Sequence, residues 1–217
     1  MIIRKTVKLI YGDDKVETKL LFREVPYETA KRMMLKNHYS HKWNANFGRI
    51  NIGVYKDNEL LGCASFGNLM NPKSYKSICG NFEKENVVEL NRLWVDDCLG
   101  KNVETVLLGA SWKIIKSDFR DVKAIQSFAD GRLGVGTIYK ASSFKYYGFA
   151  ESIFFIDKET NITYHHVPFE NTKRPDGMIK LNTLLIQNRL KSIKVKTYRY
   201  IFCLYKNRFK TTKIPKI

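Results

Sequence analysis

The amino-acid sequence predicts an α/β domain with a mixed central sheet flanked by helices. Three observations carry this. Apolar residues make up 44% of the 217 residues, enough for a buried core. Short runs rich in Val, Ile, Phe and Tyr, bounded by turn residues, are interleaved with helical patterns. One such helix, over 102–117, lies between two apolar strands, Val87–Val95 and Val122–Phe128. That order implies a parallel strand pair joined by a right-handed crossover. The expected organisation is a core over residues 1–170 and a basic segment over 171–217 that packs on it or continues the same domain.

Taken in order, residues 2–10 alternate weakly as a first strand, and Val16–Phe22 reads as another. Pro26 opens PYETAKRMMLKNHYS, a helix start followed by good helix formers that ends near Asn37 or His38. SHKWNANFGR, over 40–49, reads as a polar loop. INIGVYK and ELLGCASFG, joined at Asp57 and Asn58, form a hairpin. Residues 68–86 read as a long loop. Val103, Val106, Leu107, Ala110 and Ile114 form the apolar stripe of the 102–117 helix. A short helix over Val135–Phe144 and strands near 148–156 and 161–167 follow.

The net charge is +17, and residues 171–217 carry 13 Lys and Arg against one acid, Asp176. Such a segment binds phosphates by releasing their counterions. Its run KVKTYRYIFCLYKNRFK interleaves aromatics with cations, and the 194–199 stretch reads as a strand with a largely basic face. Lys194, Lys196, Arg199, Lys206 and Arg208, with Lys42 and Arg49 from the 40–49 loop, are the expected contacts to a nucleic-acid backbone. No apolar run is long enough to span a bilayer, and no secretion signal is expected. The four cysteines form no CxxC pair, so reduced thiols in a cytosolic protein are the expectation.

Several residues have chemistry-bearing placements. Ligands in such sheets sit beyond the carboxyl ends of the parallel strands, here Trp94–Asp97 and Phe128–Gly131. Asp130 follows the apolar strand VKAIQSFA, which suits acid–base or metal work, with an Asx turn as the structural alternative. Gly131, Gly134 and Gly136 precede a helix start, where free amides can cradle a phosphate. His38-Tyr39-Ser40-His41 offers two imidazoles and a phenol, with a helix C-terminus as the alternative. Glu89 lies inside the apolar strand VVELNRLWV, where a carboxylate needs partners. Asn91 shares its face, whereas Arg92 points the other way unless a bulge intervenes.

The layout resembles the GNAT acyltransferase fold, down to a late helix ending YKASSFKYYGF. Within that superfamily the chain looks most like the Mom family of phage DNA-modification proteins, on NHYSHKW, VVELNRLWV and SFADGRLGVGTIYKASSFKYYG. The resemblance implies an enzyme that converts adenine in double-stranded DNA to an N6-(methylcarbamoyl)adenine-type base, protecting phage DNA from restriction in the bacterial cytoplasm. It implies metal ligands at His38, Tyr39 and Asp130, a set suited to iron or another transition metal. The expected catalytic residues are Asp130, Tyr139, Glu89 and Tyr39, with Asp130 or Glu89 as base and Tyr139 as acid. Tyr39, Trp43, Phe47 or Tyr139 would stack on a flipped adenine. The acyl or carbamoyl donor is left open. The stretch DDCLGKNVET keeps only Gly100 of the usual pyrophosphate signature, so a cofactor phosphate would rest on amides near Asn102, and acetyl-CoA is disfavoured. A homodimer is an arrangement open to the chain. The alternatives are a CoA-dependent N-acetyltransferase of a protein or small-molecule amine, and a non-catalytic DNA-binding phage protein.

Overall fold

β1 (Ile3–Tyr11) and β2 (Asp14–Glu24) pair as one antiparallel hairpin, with Tyr11 opposite Asp14. The computed structural model describes residues 1–78, 83–165 and 175–205. After the hairpin, α1 spans Tyr27–Asn37, and β3 (Ile50–Lys56) and β4 (Glu59–Gly67) form the second hairpin. β5 (Val87–Val95) leads through a 3₁₀ turn at Asp97–Leu99 to α2 (Val103–Asp118) and β6 (Ala124–Asp130). α3 (Thr137–Ala141), β7 (Lys145–Asp157), β8 (Thr163–His165), α4 (Pro175–Ile186) and β9 (Leu190–Cys203) complete the chain.

The strands lie in the order β1-β2-β3-β4-β5-β6-β9-β7-β8. β1 to β5 are successively antiparallel, and β5 and β6 are parallel, so the sheet is mixed. The chain divides into two units. The first holds residues 1–127, 137–147 and 200–217; the second holds 128–136 and 148–199. β9 runs inside the sheet.

Within the first unit the two long helices cover opposite sheet faces. α1 packs Ala30 and Met34 against Val25, Tyr55 and Cys63. α2 places Trp112 edge-on to Phe66, which alternates with Cys63 along β4. Val103, Leu107, Ala110 and Ile114 of the expected stripe are buried, joined by Leu108, Ser111 and Ile115.

Two features of β5 position the site. It pairs with β6 only over Val87–Glu89 and Ala124–Gln126, and beyond Glu89 that pairing ends. Its register to β4 shifts between Ser65↔Arg92 and Phe66↔Leu90, leaving Asn91 as an extra, bulged residue. A bulge resets the alternation of side chains. Arg92 is therefore not sent to the face opposite Glu89, as a regular strand would send it.

Candidate functional site

Glu89 is buried where β5 leaves β6, and its carboxylate is held from three sides. Gln126 Nε2 donates at 2.8 Å, the Met70 amide at 3.2 Å and Asn91 Nδ2 at 3.3 Å. Gln126 also donates to Ser74 Oγ at 3.1 Å. Burial without such partners would be costly for a carboxylate. Sequence reasoning found Glu89 and Asn91 but missed Gln126. The signal was there: a buried Gln in an apolar strand, three residues before Ala129.

Arg92 reaches toward the same region. Its Nε donates to the Lys42 carbonyl at 3.1 Å and its Nη1 to the Asn91 carbonyl at 2.6 Å, and its guanidinium lies 4.6 Å from the Phe47 ring centroid. Burial lowers the Arg92 pKa, while Tyr39, Glu89 and Tyr139 pull it back up. Tyr139 is half-buried, hydrogen-bonded to Ser127, and packed against Phe144 and Tyr200. Its phenol is raised chiefly by burial, with Tyr39, Glu89 and Tyr200 adding to this, so it stays protonated at neutral pH. Tyr39, Glu89, Arg92 and Tyr139 thus form one electrostatic cluster in the first unit.

His38 caps the end of α1 and is buried, its ring 4.3 Å from that of Tyr39. Burial, Arg92 and His41, in that order, push its pKa down to about 4. The folded protein therefore holds His38 neutral, while the unfolded chain protonates it near 6.5. Stability is full above about pH 6.5 and falls as pH drops toward 4. At pH 4.5 the wild type should lose about 2.5 kcal/mol more, relative to pH 7, than His38→Gln does. Urea unfolding at the two pH values checks this; equal losses would refute it.

Tyr39 is 65% exposed, which suits stacking on a base. Trp43 and Phe47 are instead packing residues. Trp43 Nε1 donates to Tyr27 Oη at 2.9 Å, and Phe47 is buried beneath Arg92. Gly67 explains how the 40–49 loop comes so close. A Cβ there would meet the Asn46 carbonyl oxygen at 2.0 Å and Asn91 Oδ1 at 2.5 Å.

Asp130 lies in the second unit, and its side chain forms an Asx turn. Arg132 N donates to Asp130 Oδ1 at 3.0 Å, and the Arg132 guanidinium takes both carboxylate oxygens. Burial pushes the Asp130 pKa up, but the Arg132 contacts outweigh it and leave it below the usual carboxylate range. That makes Asp130 a weak base. The glycine-loop cradle is also corrected at Gly131. Its amide donates to the Lys196 carbonyl at 2.9 Å, and a Cβ would meet that oxygen at 2.3 Å. Gly131 permits this close approach, so its amide is not available to a phosphate. Gly134 and Gly136 take φ of +133° and +76°, and the helix after them has only five residues.

Of the expected metal ligands, His38 and Tyr39 belong to the first unit and Asp130 to the second. The Ser40 amide donates to His38 Nδ1 at 3.2 Å, and Ser40 Oγ lies 3.0 Å from the same nitrogen. Both Asp130 oxygens are engaged by Arg132. Among the described residues no group of three His, Cys, Asp or Glu could hold a metal ion.

Between β5 and α2 four backbone amides are used by the chain itself. The amides of Cys98, Leu99, Gly100 and Lys101 are donated to Asp96 Oδ1, Asp96 O, Asp97 O and Ile10 O. Asp96, Asp97 and Glu104 add negative charge. Asn102 begins α2 in the left-handed region, φ 70°, without a side-chain cap.

Of the expected DNA contacts, Lys42, Lys194 and Lys196 are exposed, Lys196 lying over the Phe149 ring at 4.7 Å, and Arg199 is half-buried. Arg49 is committed to an ion pair with Asp121 and donates to the Glu85 carbonyl at 3.1 Å. It ties the loop to the domain. Lys206 and Arg208 lie outside the described residues.

The chain is 30% identical over 194 residues to "Methylcarbamoylase mom" of Escherichia phage Mu, covering 87% of this chain and 78% of that protein. Among solved structures, Arabidopsis thaliana NAA60 in complex with acetyl-CoA matches with a TM-score of 0.51 and 9% identity, over 85% of this chain and 99% of that one. A putative GNAT acetyltransferase of Desulfovibrio desulfuricans matches with a TM-score of 0.46 and 9% identity, over 86% and 99%. The fold is that of the GNAT acyltransferases. A model of the Mom protein family matches residues 19–216, and the chain belongs to that family.

Proposed function

We propose that this protein is a DNA-modifying enzyme that converts adenine in double-stranded DNA to an N6-(methylcarbamoyl)adenine-type base. The product would mark phage DNA against host restriction nucleases, in the cytoplasm of the infected bacterium. The observation that carries this reading is the identity to a phage protein named methylcarbamoylase. The Glu89–Arg92–Tyr139–Tyr39 cluster supplies groups that such a transfer needs.

The exocyclic amine of adenine is a weak nucleophile inside a duplex, so the base must leave the stack. The exposed Tyr39 ring offers it a stacking surface. The amine attacks the carbonyl carbon of an activated methylcarbamoyl donor. The new N–C bond forms as the bond from that carbon to its leaving group breaks. Glu89 accepts the proton lost from the amine. Arg92 faces the negative charge that builds on the carbonyl oxygen. Tyr139, a protonated phenol, donates to the leaving group. Each of these steps is carried by the chain's own residues.

The test is mass spectrometry of nucleosides from plasmid DNA after expression in bacteria. A modified deoxyadenosine heavier by one methylcarbamoyl group is expected. Only canonical deoxyadenosine in DNA from cells holding the folded protein would overturn the reading.

A further inference from the structure

We propose a DNA-binding surface on the solvent face of the β1–β2 hairpin, where five cations form a diagonal ladder. It rests on the reading of the chain as an enzyme of duplex DNA. Burial alternates along both strands. Ile3 and Leu9 of β1, and Thr18, Leu20 and Phe22 of β2, face the core, whereas Arg4, Thr6, Lys8, Lys15, Glu17, Lys19 and Arg23 are exposed.

The register sets the pattern. Arg4 stands opposite Leu21, and its diagonal neighbours are Lys19 and Arg23. Lys8 stands opposite Glu17, with Lys15 and Lys19 on its diagonals. The cations therefore alternate between strands in the axial order Arg23, Arg4, Lys19, Lys8, Lys15. Each step is two residues, about 7 Å, and the row spans about 27 Å. No two cations sit directly opposite, where like charges repel most. Among the described residues the one carboxylate paired on this face is Glu17, 4.0 Å from Lys8. A row of like charges with this little compensation suits a regularly charged polymer, whose counterions it can displace.

The surroundings favour the same partner. A cleft of about 480 Å³ opens between the hairpin and the β3–β4 turn, lined by Arg4, Lys19, Leu21 and Tyr55, with Asp57 at the turn. Arg23 lies over the Tyr55 ring at 4.5 Å. Tyr55 and Leu21 belong to the cluster beneath α1, so the ladder shares the α1 face of the sheet. Gly67, whose Cβ would meet Asn46 and Phe47 of the 40–49 loop, is paired with Glu89 and also alternates with Phe66. Glu89 therefore faces the α1 side as well. Its strand is three places from β2 in the sheet, about 14 Å away, so one duplex spans both. Arg4, Lys8 and Lys15 precede the residues matched by the family model, which begin at 19.

The experiment measures affinity for a 30-base-pair duplex against salt, for the full chain and for R4Q/K8Q/K19Q. Wild type should show a steep log–log slope, and the variant a slope shallower by roughly 2 to 3, with at least about tenfold weaker binding at moderate salt. R4K/K8R/K19R should keep the wild-type slope. Should the triple variant fail to fold, R4Q and K19Q alone should each reduce the slope by about 1. Wild-type binding with unchanged slopes in the Gln variants overturns the ladder and leaves the enzyme reading standing. Absence of salt-dependent binding by wild type overturns the DNA reading itself.

Discussion

Glu89→Gln should lower adenine modification by about 10²- to 10⁴-fold while the protein stays folded. The loss follows from chemistry: an amide cannot take the proton of the attacking amine. The retained fold follows from the hydrogen bonds. One oxygen of the new amide can keep the Gln126 and Met70 donors. Its NH₂ would then face Asn91 Nδ2, which now donates to Glu89. A flip of the Asn91 amide resolves that conflict, because Asn91 Oδ1 is buried and has no partner. The flip gives this oxygen a donor at last. Unfolding free energy within about 1 kcal/mol of wild type is expected. Nucleoside mass spectrometry and urea titration read the two halves separately. Wild-type levels of modified adenine would remove Glu89 from the chemistry; an unfolded variant would mean that the Asn91 flip does not occur. Asp130→Asn, by contrast, should act through the second unit, where it loosens the Arg132 turn.

Much of the fold was legible because its signals are local. The 102–117 helix between two apolar strands fixed the crossover, and the Asp57–Asn58 turn fixed the second hairpin, with both residues at positive φ. The first hairpin was read only as two weak strands. Its outward face carries five cations, which blur the apolar alternation that marks a strand. α4 begins at Pro175, a helix-start position, but it lies in a segment whose density of charge masks an apolar stripe.

The site shows the same division. Glu89 was visible as a carboxylate in an apolar strand, and the burial of its neighbours made partners obligatory. Arg92 was not, since strict alternation sends it to the other face. The shift at Asn91 exists only in the register of β5 against β4, and register is a property of two segments far apart in sequence. Asp130 shows what the sequence leaves out in another way. Its place after a buried strand looked catalytic, but Arg132, two residues on, occupies both its oxygens.

Arg92 carries the second large effect, and two substitutions separate its two roles. Arg92→Met removes the donors to Lys42 O and Asn91 O and the cation over Phe47, with a loss of stability of about 2 to 4 kcal/mol. Residues 40–49 then lose their tie to β5, and amide exchange there should quicken well beyond that of α2. The same change removes a positive charge that helps depress His38, so His38 should titrate above its wild-type value of about 4. Arg92→Lys keeps the charge but cannot fork to two carbonyls or lie flat on Phe47. It should therefore leave the His38 titration near the wild-type value while still freeing the loop. Activity should fall in both variants, because the loop carries Lys42 on from Tyr39 and fixes where that ring stands. A loop that exchanges at the wild-type rate in both variants would show that Arg92 does not pin it. A His38 titration unchanged in Arg92→Met would show that burial alone holds the ring neutral.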